Sequence, residues 1–258
     1  MIEVSGLTKT FGDVVAIKNI SFSVAAGEVF GLLGPNGAGK TTTLRILATL
    51  LRADSGSATV DGHDVVTEDE TVRAQIGVVN GGMGLYDRLS GREILHYFGK
   101  LYGMKRNQID ARIDELDGLL ELGDTLERRA EGFSTGMKQK IVVARAVLHD
   151  PPVIFFDEAT SGLDVMARRS VLDFVKDYPS HNRAVIYSTH VMSEVDELCD
   201  RAGIIYRGEL IAIDRIEALK EQTGSDSLER AFFRLVERSH TGSPNTDQKT
   251  GQKTEVSA

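Results

Sequence analysis

An α/β protein is predicted: a core of strands interleaved with helices, a small antiparallel β subdomain ahead of it, and an all-helical subdomain inserted within it. Three observations carry this reading. Residues 34–42 read GPNGAGKTT, with the buried-strand run EVFGLLG before them and apolar residues at helical spacing in TTTLRILATLL after them. Residues 1–30 read as short strands joined by tight turns. From about Leu85 to Leu148 strand-like runs vanish and helical periodicity takes over, after which strands return.

The elements follow in order. IEVSGLTKTF and VVAIKNISFSV are strands flanking a turn at Gly12-Asp13, and a second turn at Ala26-Gly27 leads into the strand before the glycine-rich loop. DSGSATVDGHDV reads as a hairpin with Asp61-Gly62 at its tip, and AQIGVVN (74–80) as a strand. The insert holds GREILHYFGKLYG, QIDARIDELDGLLELG and a helix from about Thr135 to His149, stopped by Pro151-Pro152. VIFFD (153–157), AVIYST (184–189) and AGIIY (202–206) are strands interleaved with helices. DSLERAFFRLVER (226–238) is an amphipathic helix with Leu228, Phe232 and Leu235 on one face and a capping-box-like start at Asp226 and Glu229. From Ser239 the chain is polar and Gly/Ser/Thr-rich, and disorder is expected there.

Bulk properties narrow the function classes. The 258 residues suffice for a sizeable core. A net charge of −8 disfavours a nucleic-acid partner held by phosphate neutralisation. The single cysteine, Cys199, cannot form an internal disulfide and reads as a small core residue. No apolar run approaches the ~18 residues needed to span a bilayer, and MIEVSGLTKTF lacks the basic and apolar regions of a signal peptide. A cytoplasmic location is expected, with any membrane attachment made through another protein.

The loop at 34–42 has the G-x-x-x-x-G-K-[ST] spacing of a phosphate-binding P-loop. Its glycines let backbone N–H groups converge on phosphate oxygens at a helix N-terminus. Lys40 neutralises β- and γ-phosphates in such a loop, and the Thr41 hydroxyl ligates Mg²⁺. The fold class is thus a P-loop NTPase core carrying the two added subdomains. Asp157 emerges at the carboxyl end of an apolar strand, where ligands sit in open α/β sheets, and is a candidate for Mg²⁺. Glu158 follows and could polarise the attacking water. Ser134 and Gly136, in FSTGMKQK, stand at a helix N-terminus; alone they read as an ordinary capped helix start, or as a second anion site. His190, after a buried strand, is a structural histidine or a sensor of the γ-phosphate. Phe11 reads as core or as a platform for an adenine ring.

In their order and spacing, GPNGAGKTT, FSTGMKQK, VIFFDEATSGLD and the histidine of STH resemble the ATP-binding subunit of ABC transporters over about residues 2–218. The resemblance implies a head-to-tail dimer with two ATP sandwiched at its interface, each site pairing one chain's P-loop with the other's signature loop. It implies Phe11 as the adenine-stacking residue and Gly34, Pro35, Asn36, Gly37, Ala38, Gly39, Lys40, Thr41 and Thr42 as the phosphate-holding loop. Ser134 and Gly136 match the signature, Asp157 the metal-side aspartate, Glu158 the catalytic glutamate, Ser161 to Asp164 the D-loop and His190 the switch histidine. Expected cofactors are ATP and Mg²⁺. Expected partners are a second copy of the chain and a separate membrane permease, with no nucleic acid. The chain would lie on the inner face of the cell membrane. By this resemblance residues 1–220 form the ATP-binding domain, with the helical subdomain at about 83–148, and 221–258 form an extension.

Some positions depart from the family. Asn80-Gly81 stands where Pro-Gln is usual, so the glutamine that touches Mg²⁺ and relays to the permease is missing, with Asn80 as a partial substitute. The signature carries Thr135 and Met137, and Ala159 replaces a common proline. The acid, base and lysine positions remain filled, so an active ATPase is expected. VVNGGMGLYDRLSGRE, GFSTGMKQK and SGLDVMARR look most similar to ATPases of the sodium-export type, which makes an exporter the expected machine. Two competing readings are a soluble ATPase of this family acting on ribosomes or nucleic acid, and a GTPase or kinase. The acidic balance and short insert speak against the first, and the absence of an N-K-x-D motif against the second.

Overall fold

The computed structural model describes residues 1–241. Its first layer is a four-stranded antiparallel sheet of order β2-β1-β4-β5, built from β1 (Ile2–Phe11), β2 (Val14–Val24), β4 (Ser55–Val60) and β5 (His63–Asp64). The hairpin tip lies at Asp61 and Gly62, both left-handed at φ 50° and 85°, as the right-handed twist of a tight hairpin requires. Alternation places Ile2, Val4, Ile20, Phe22 and Val24 inside.

The second layer is a six-stranded sheet of order β10-β9-β3-β8-β7-β6. Its strands are β3 (Val29–Leu33), β6 (Ile76–Asn80), β7 (Val153–Asp157), β8 (Ala184–Thr189), β9 (Arg201–Tyr206) and β10 (Glu209–Arg215). Pairing is parallel throughout except for β10, which runs antiparallel on β9. Phe30, Phe155 and Ile186 face the antiparallel layer, whereas Leu33, Phe156 and Tyr187 face the helical side. Burial on both faces explains why these strands read as continuous apolar runs rather than alternating ones.

The insert consists of α3 (Gly91–Leu101), α4 (Arg106–Leu120) and α5 (Thr135–Val147). A capping box starts α3, with Ser90 Oγ accepting from Glu93 N and Glu93 accepting from Ser90 N. Leu95, Ile109, Ile113, Leu116 and Ile141 join its helices to the core sheet. The antiparallel subdomain, the α/β core and the helical insert are all as expected.

Three details differ. The segment expected as a strand from residue 74 begins at Ile76, because α2 (Asp69–Gln75) takes Ala74 and Gln75. Edge strand β10 and α8 (Ile216–Thr223) were not anticipated: β10 is only half-buried along its length, so its alternation is blurred. The last helix, α9 (Leu228–Thr241), is capped by Ser227, whose Oγ accepts from Arg230 N, while Asp226 pairs with Arg230 at 2.6 Å. This helix includes Ser239 to Thr241, where disorder was expected; the rest of that tail lies outside the described residues. Leu228 and Phe232 are buried against the chain's own helical side, and Cys199 is a buried core residue whose thiol pKa burial pushes up. No helix among the described residues is long and apolar enough to cross a membrane.

Candidate nucleotide site

The glycine-rich loop joins the end of β3 to α1 (Lys40–Leu47). Gly39, immediately before the helix, holds φ 113°, which side chains of L residues rarely adopt, and a Cβ there would stand 2.5 Å from the Ala16 carbonyl oxygen. The loop is therefore pressed against β2 and opens its helix N-terminus to the carboxyl edge of the sheet.

Lys40 is 4% exposed, and its Nζ donates to the carbonyls of Gly34 (2.7 Å) and Pro35 (3.1 Å). The same ammonium lies 3.6 Å from Glu158 Oε1. Burial lowers its pKa, while Glu158 and Asp157 push the other way and favour the charged form.

Asp157 closes β7, and its Oδ1 accepts from Ser188 Oγ at 3.0 Å. In the sheet Asp157 is the neighbour of Asn80 on one side and of Ser188 on the other. At Glu158 the strand gives way to a left-handed residue, φ 50°. A non-glycine residue there carries strain that clusters at functional sites. The turn leaves the Glu158 carboxylate half-buried between Lys40 and His190, whose Nδ1 stands 3.3 Å from Glu158 Oε1.

A buried carboxylate not singled out from the sequence braces this arrangement. Glu194, 1% exposed on α7 (Met192–Leu198), accepts from Thr160 (2.7 Å), Tyr187 (3.0 Å) and Thr189 (2.9 Å), and pairs with Arg168 at 3.0 Å. Thr160 lies two residues after Glu158 and Thr189 directly precedes His190, so Glu194 ties the two loops together. Burial and the adjacent carboxylate raise the Tyr187 pKa and keep its phenol a donor. The sequence signal was present: Glu194 falls on the stripe that also carries Val195 and Leu198, where a charge is unexpected.

A cavity of about 340 Å³ opens beside these groups, lined among others by Thr41, Arg45, Asn80, Asp157, Glu158 and Ser161. Lys40, Asp157, Glu158 and His190 are thus brought together with Thr41. Ser134, Gly136 and Phe11 do not line the cavity. Ser134 is the N-cap of α5, its Oγ accepting from Met137 N at 3.2 Å. Phe11 is 48% exposed at the end of β1, with the Lys9 ammonium 5.5 Å from its ring centre. The donors around the cavity are hard oxygens, from the Thr41 hydroxyl, the Asp157 carboxylate and the Asn80 amide. Asn80 Oδ1 is buried and has no hydrogen-bond partner among the described residues, which fits a site completed by a small cation.

Comparison with known proteins agrees with this geometry. The family model described as "ABC transporter" matches residues 17–161. The chain is 42% identical over 243 residues to the ABC transporter ATP-binding protein NatA of Bacillus subtilis, covering 92% of this chain and 99% of that one. It is 38% identical over 228 residues to the linearmycin resistance ATP-binding protein LnrL of the same organism, covering 88% and 73%. A solved structure, of an ATP-binding subunit of an ABC transporter, superposes with a TM-score of 0.84 at 27% identity, covering 92% of this chain and 99% of that chain. The chain belongs to the ABC transporter family, as its ATP-binding, ATP-hydrolysing subunit.

Proposed function

We propose that this subunit binds ATP with Mg²⁺ between two copies of itself and powers a separate membrane permease working as an exporter. The observation that carries the reading is the convergence of Lys40 and His190 on Glu158, which lines a cavity together with Thr41 and Asp157. In that arrangement the P-loop amides and Lys40 hold the phosphates, with Gly34 to Thr42 forming the cradle. Thr41 and Asp157 hold the metal side. Glu158 orients the attacking water and takes its proton, and His190, hydrogen-bonded to Glu158, senses the γ-phosphate. When bound, Mg²⁺ supplies charge neutralisation on the β- and γ-phosphate oxygens.

Two observations support a second copy as the missing wall. Ser134 and Gly136 stand apart from the cavity in their own chain, so a phosphate contact by the signature loop needs another chain's cavity. Val165 and Met166, directly after Ser161 to Asp164, are 82% and 78% exposed side by side and offer a partner an apolar step to bury. Phe11, half-exposed at the end of β1 in the antiparallel subdomain, stacks on the adenine ring.

For the cargo, the sodium-export words in the sequence favour sodium ions, while the similarity to LnrL keeps an organic antibiotic as the specific alternative. The subunit works on the inner membrane face through its permease. The test is size-exclusion chromatography with light scattering on the Glu158→Gln chain. ATP is expected to double its mass, and a strictly monomeric species with ATP bound, even beside the permease, sinks the reading. Sodium efflux against linearmycin-type drug efflux in cells carrying the subunit and its neighbouring permease gene decides the cargo.

A further inference from the structure

We infer that Asn80 supplies an oxygen ligand to the divalent cation that accompanies ATP, a task that no side chain at position 81 can perform on this backbone. The inference deepens the nucleotide reading above and rests on it.

Three observations meet at this residue. First, Asn80 and Asp157 are direct neighbours in the parallel register of β6 and β7, so their side chains leave the sheet on the same face. Both line the cavity that Thr41 and Glu158 also line. Secondly, Asn80 Oδ1 is buried and unpartnered among the described residues. Buried polar atoms in folded proteins find partners, and an orphan of this kind beside a phosphate site marks the place of an absent donor or cation.

Thirdly, position 81 is closed. Gly81 N donates to the Asp157 carbonyl at 3.0 Å, which pins the backbone, and a Cβ on Gly81 would sit 2.9 Å from the Glu158 carbonyl oxygen. Side chains do not tolerate that approach, and the Glu158 backbone is already left-handed at φ 50°. A glutamine at 81 would have to move the residue that carries the base. The amide has therefore shifted one position back along β6, to where the strand pairing itself holds it beside Asp157.

The chemistry suits the cation. Mg²⁺ takes hard oxygen donors in a tight octahedron, keeps several waters and needs few protein ligands. A neutral amide oxygen completes such a set next to Asp157 and Thr41 without a further negative charge facing the triphosphate. The competing account, a strand-end asparagine with a purely structural role, predicts no dependence of metal affinity on its oxygen.

The test uses the full-length chain in the hydrolysis-blocked Glu158→Gln background, saturated with ATP. Mn²⁺ binding is followed by electron paramagnetic resonance and Mg²⁺ by competition. Asn80→Ala is expected to weaken cation affinity about tenfold or more, as loss of a supporting metal contact does. Asn80→Asp, which keeps the oxygen and adds charge, is expected to tighten it. In excess EDTA, ATP affinity should stay at the parent's value in Asn80→Ala and fall in Asn80→Asp, whose added charge faces the triphosphate, while far-UV circular dichroism matching the parent's shows that both fold. A cation affinity within twofold of the parent in Asn80→Ala overturns the inference. If Asn80→Ala does not fold, Asn80→Asp decides: an unchanged Mn²⁺ affinity overturns it and a tightened one supports it. A parent chain that fails to bind ATP in EDTA overturns the nucleotide reading itself.

Discussion

The loop at 34–40 and the loop at 133–136 both open a helix N-terminus suited to an anion, yet they are finished to different degrees. Around the first, Lys40, Glu158, His190 and Asp157 are within hydrogen-bonding or ion-pair reach of one another or of buried partners in the same chain. Around the second, Ser134 caps its own helix, and the nearby stretch after Asp164 exposes Val165 and Met166 to solvent. One corner is a built half-site. The other offers a capped helix and an apolar shelf that its own chain leaves open. A molecule with this asymmetry has reason to pair with itself, corner to opposite corner.

The largest expected effect tests whether the first corner is truly prebuilt. Glu194→Ala removes the acceptor for Thr160, Tyr187 and Thr189 and strands Arg168. Breaking such a buried network costs about 3–5 kcal/mol. Differential scanning calorimetry should then show Tm falling by roughly 10 °C, at about 2–4 °C per kcal/mol for a chain of this size. A change below 2 °C would mean that the network braces nothing.

Glu158→Gln comes next. Turnover should fall at least about 10²-fold, equivalent to some 2.7 kcal/mol of transition-state stabilisation, with ATP binding intact. Steady-state phosphate release alongside equilibrium ATP binding checks it. Surviving turnover would remove Glu158 from its assigned role and leave Lys40 with a structural partner only.

How far the two corners could be read in advance differs for a physical reason. GPNGAGKTT, VIFFDE and STH were legible because backbone amides, a strand end and a helix start carry the chemistry locally, and local sequence encodes them. The core sheet was legible because strands buried on both faces, such as VIFFD and AVIYST, are unbroken apolar runs. Strand β10 was missed because half-burial erases its alternation, and α2 because a seven-residue helix has too few turns to show a period. The start of α9 was misassigned by one residue because Asp226 and Ser227 are both good caps, and the choice depends on where Arg230 reaches. Glu194 and the closure of position 81 were out of reach for a deeper reason. Both depend on contacts between segments far apart in the chain, Glu194 with Thr160 and Gly81 with the Glu158 carbonyl.

A smaller effect is expected on the open shelf. Met166 is 78% exposed at the start of α6 (Val165–Asp177), whose N-terminus Asp164 caps through Met166 N and Ala167 N. Met166→Glu should leave monomer stability within about 0.5 kcal/mol, since an exposed acid in the first turn complements the helix dipole. Dimerisation of the ATP-loaded Glu158→Gln chain should nevertheless weaken at least about tenfold, because a partner would have to bury the new charge. Analytical ultracentrifugation reads both species, and an unweakened dimer would put the interface elsewhere.

The smallest effect falls on Ser134 and separates its two roles. Ser134→Ala deletes the cap on α5, which costs about 1 kcal/mol and should lower Tm by about 2–4 °C. Ser134→Asp keeps the cap and improves the interaction with the helix dipole, so its Tm should equal or exceed the parent's. Towards a triphosphate held by another chain, however, the aspartate is repulsive where the serine hydroxyl could donate. ATP-driven dimerisation should therefore fail in Ser134→Asp although the monomer is at least as stable, and ATP binding to the monomer's own P-loop should be unchanged. A Ser134→Asp chain that dimerises on ATP like its parent would show that the second corner never meets a phosphate and that its serine is a helix cap alone.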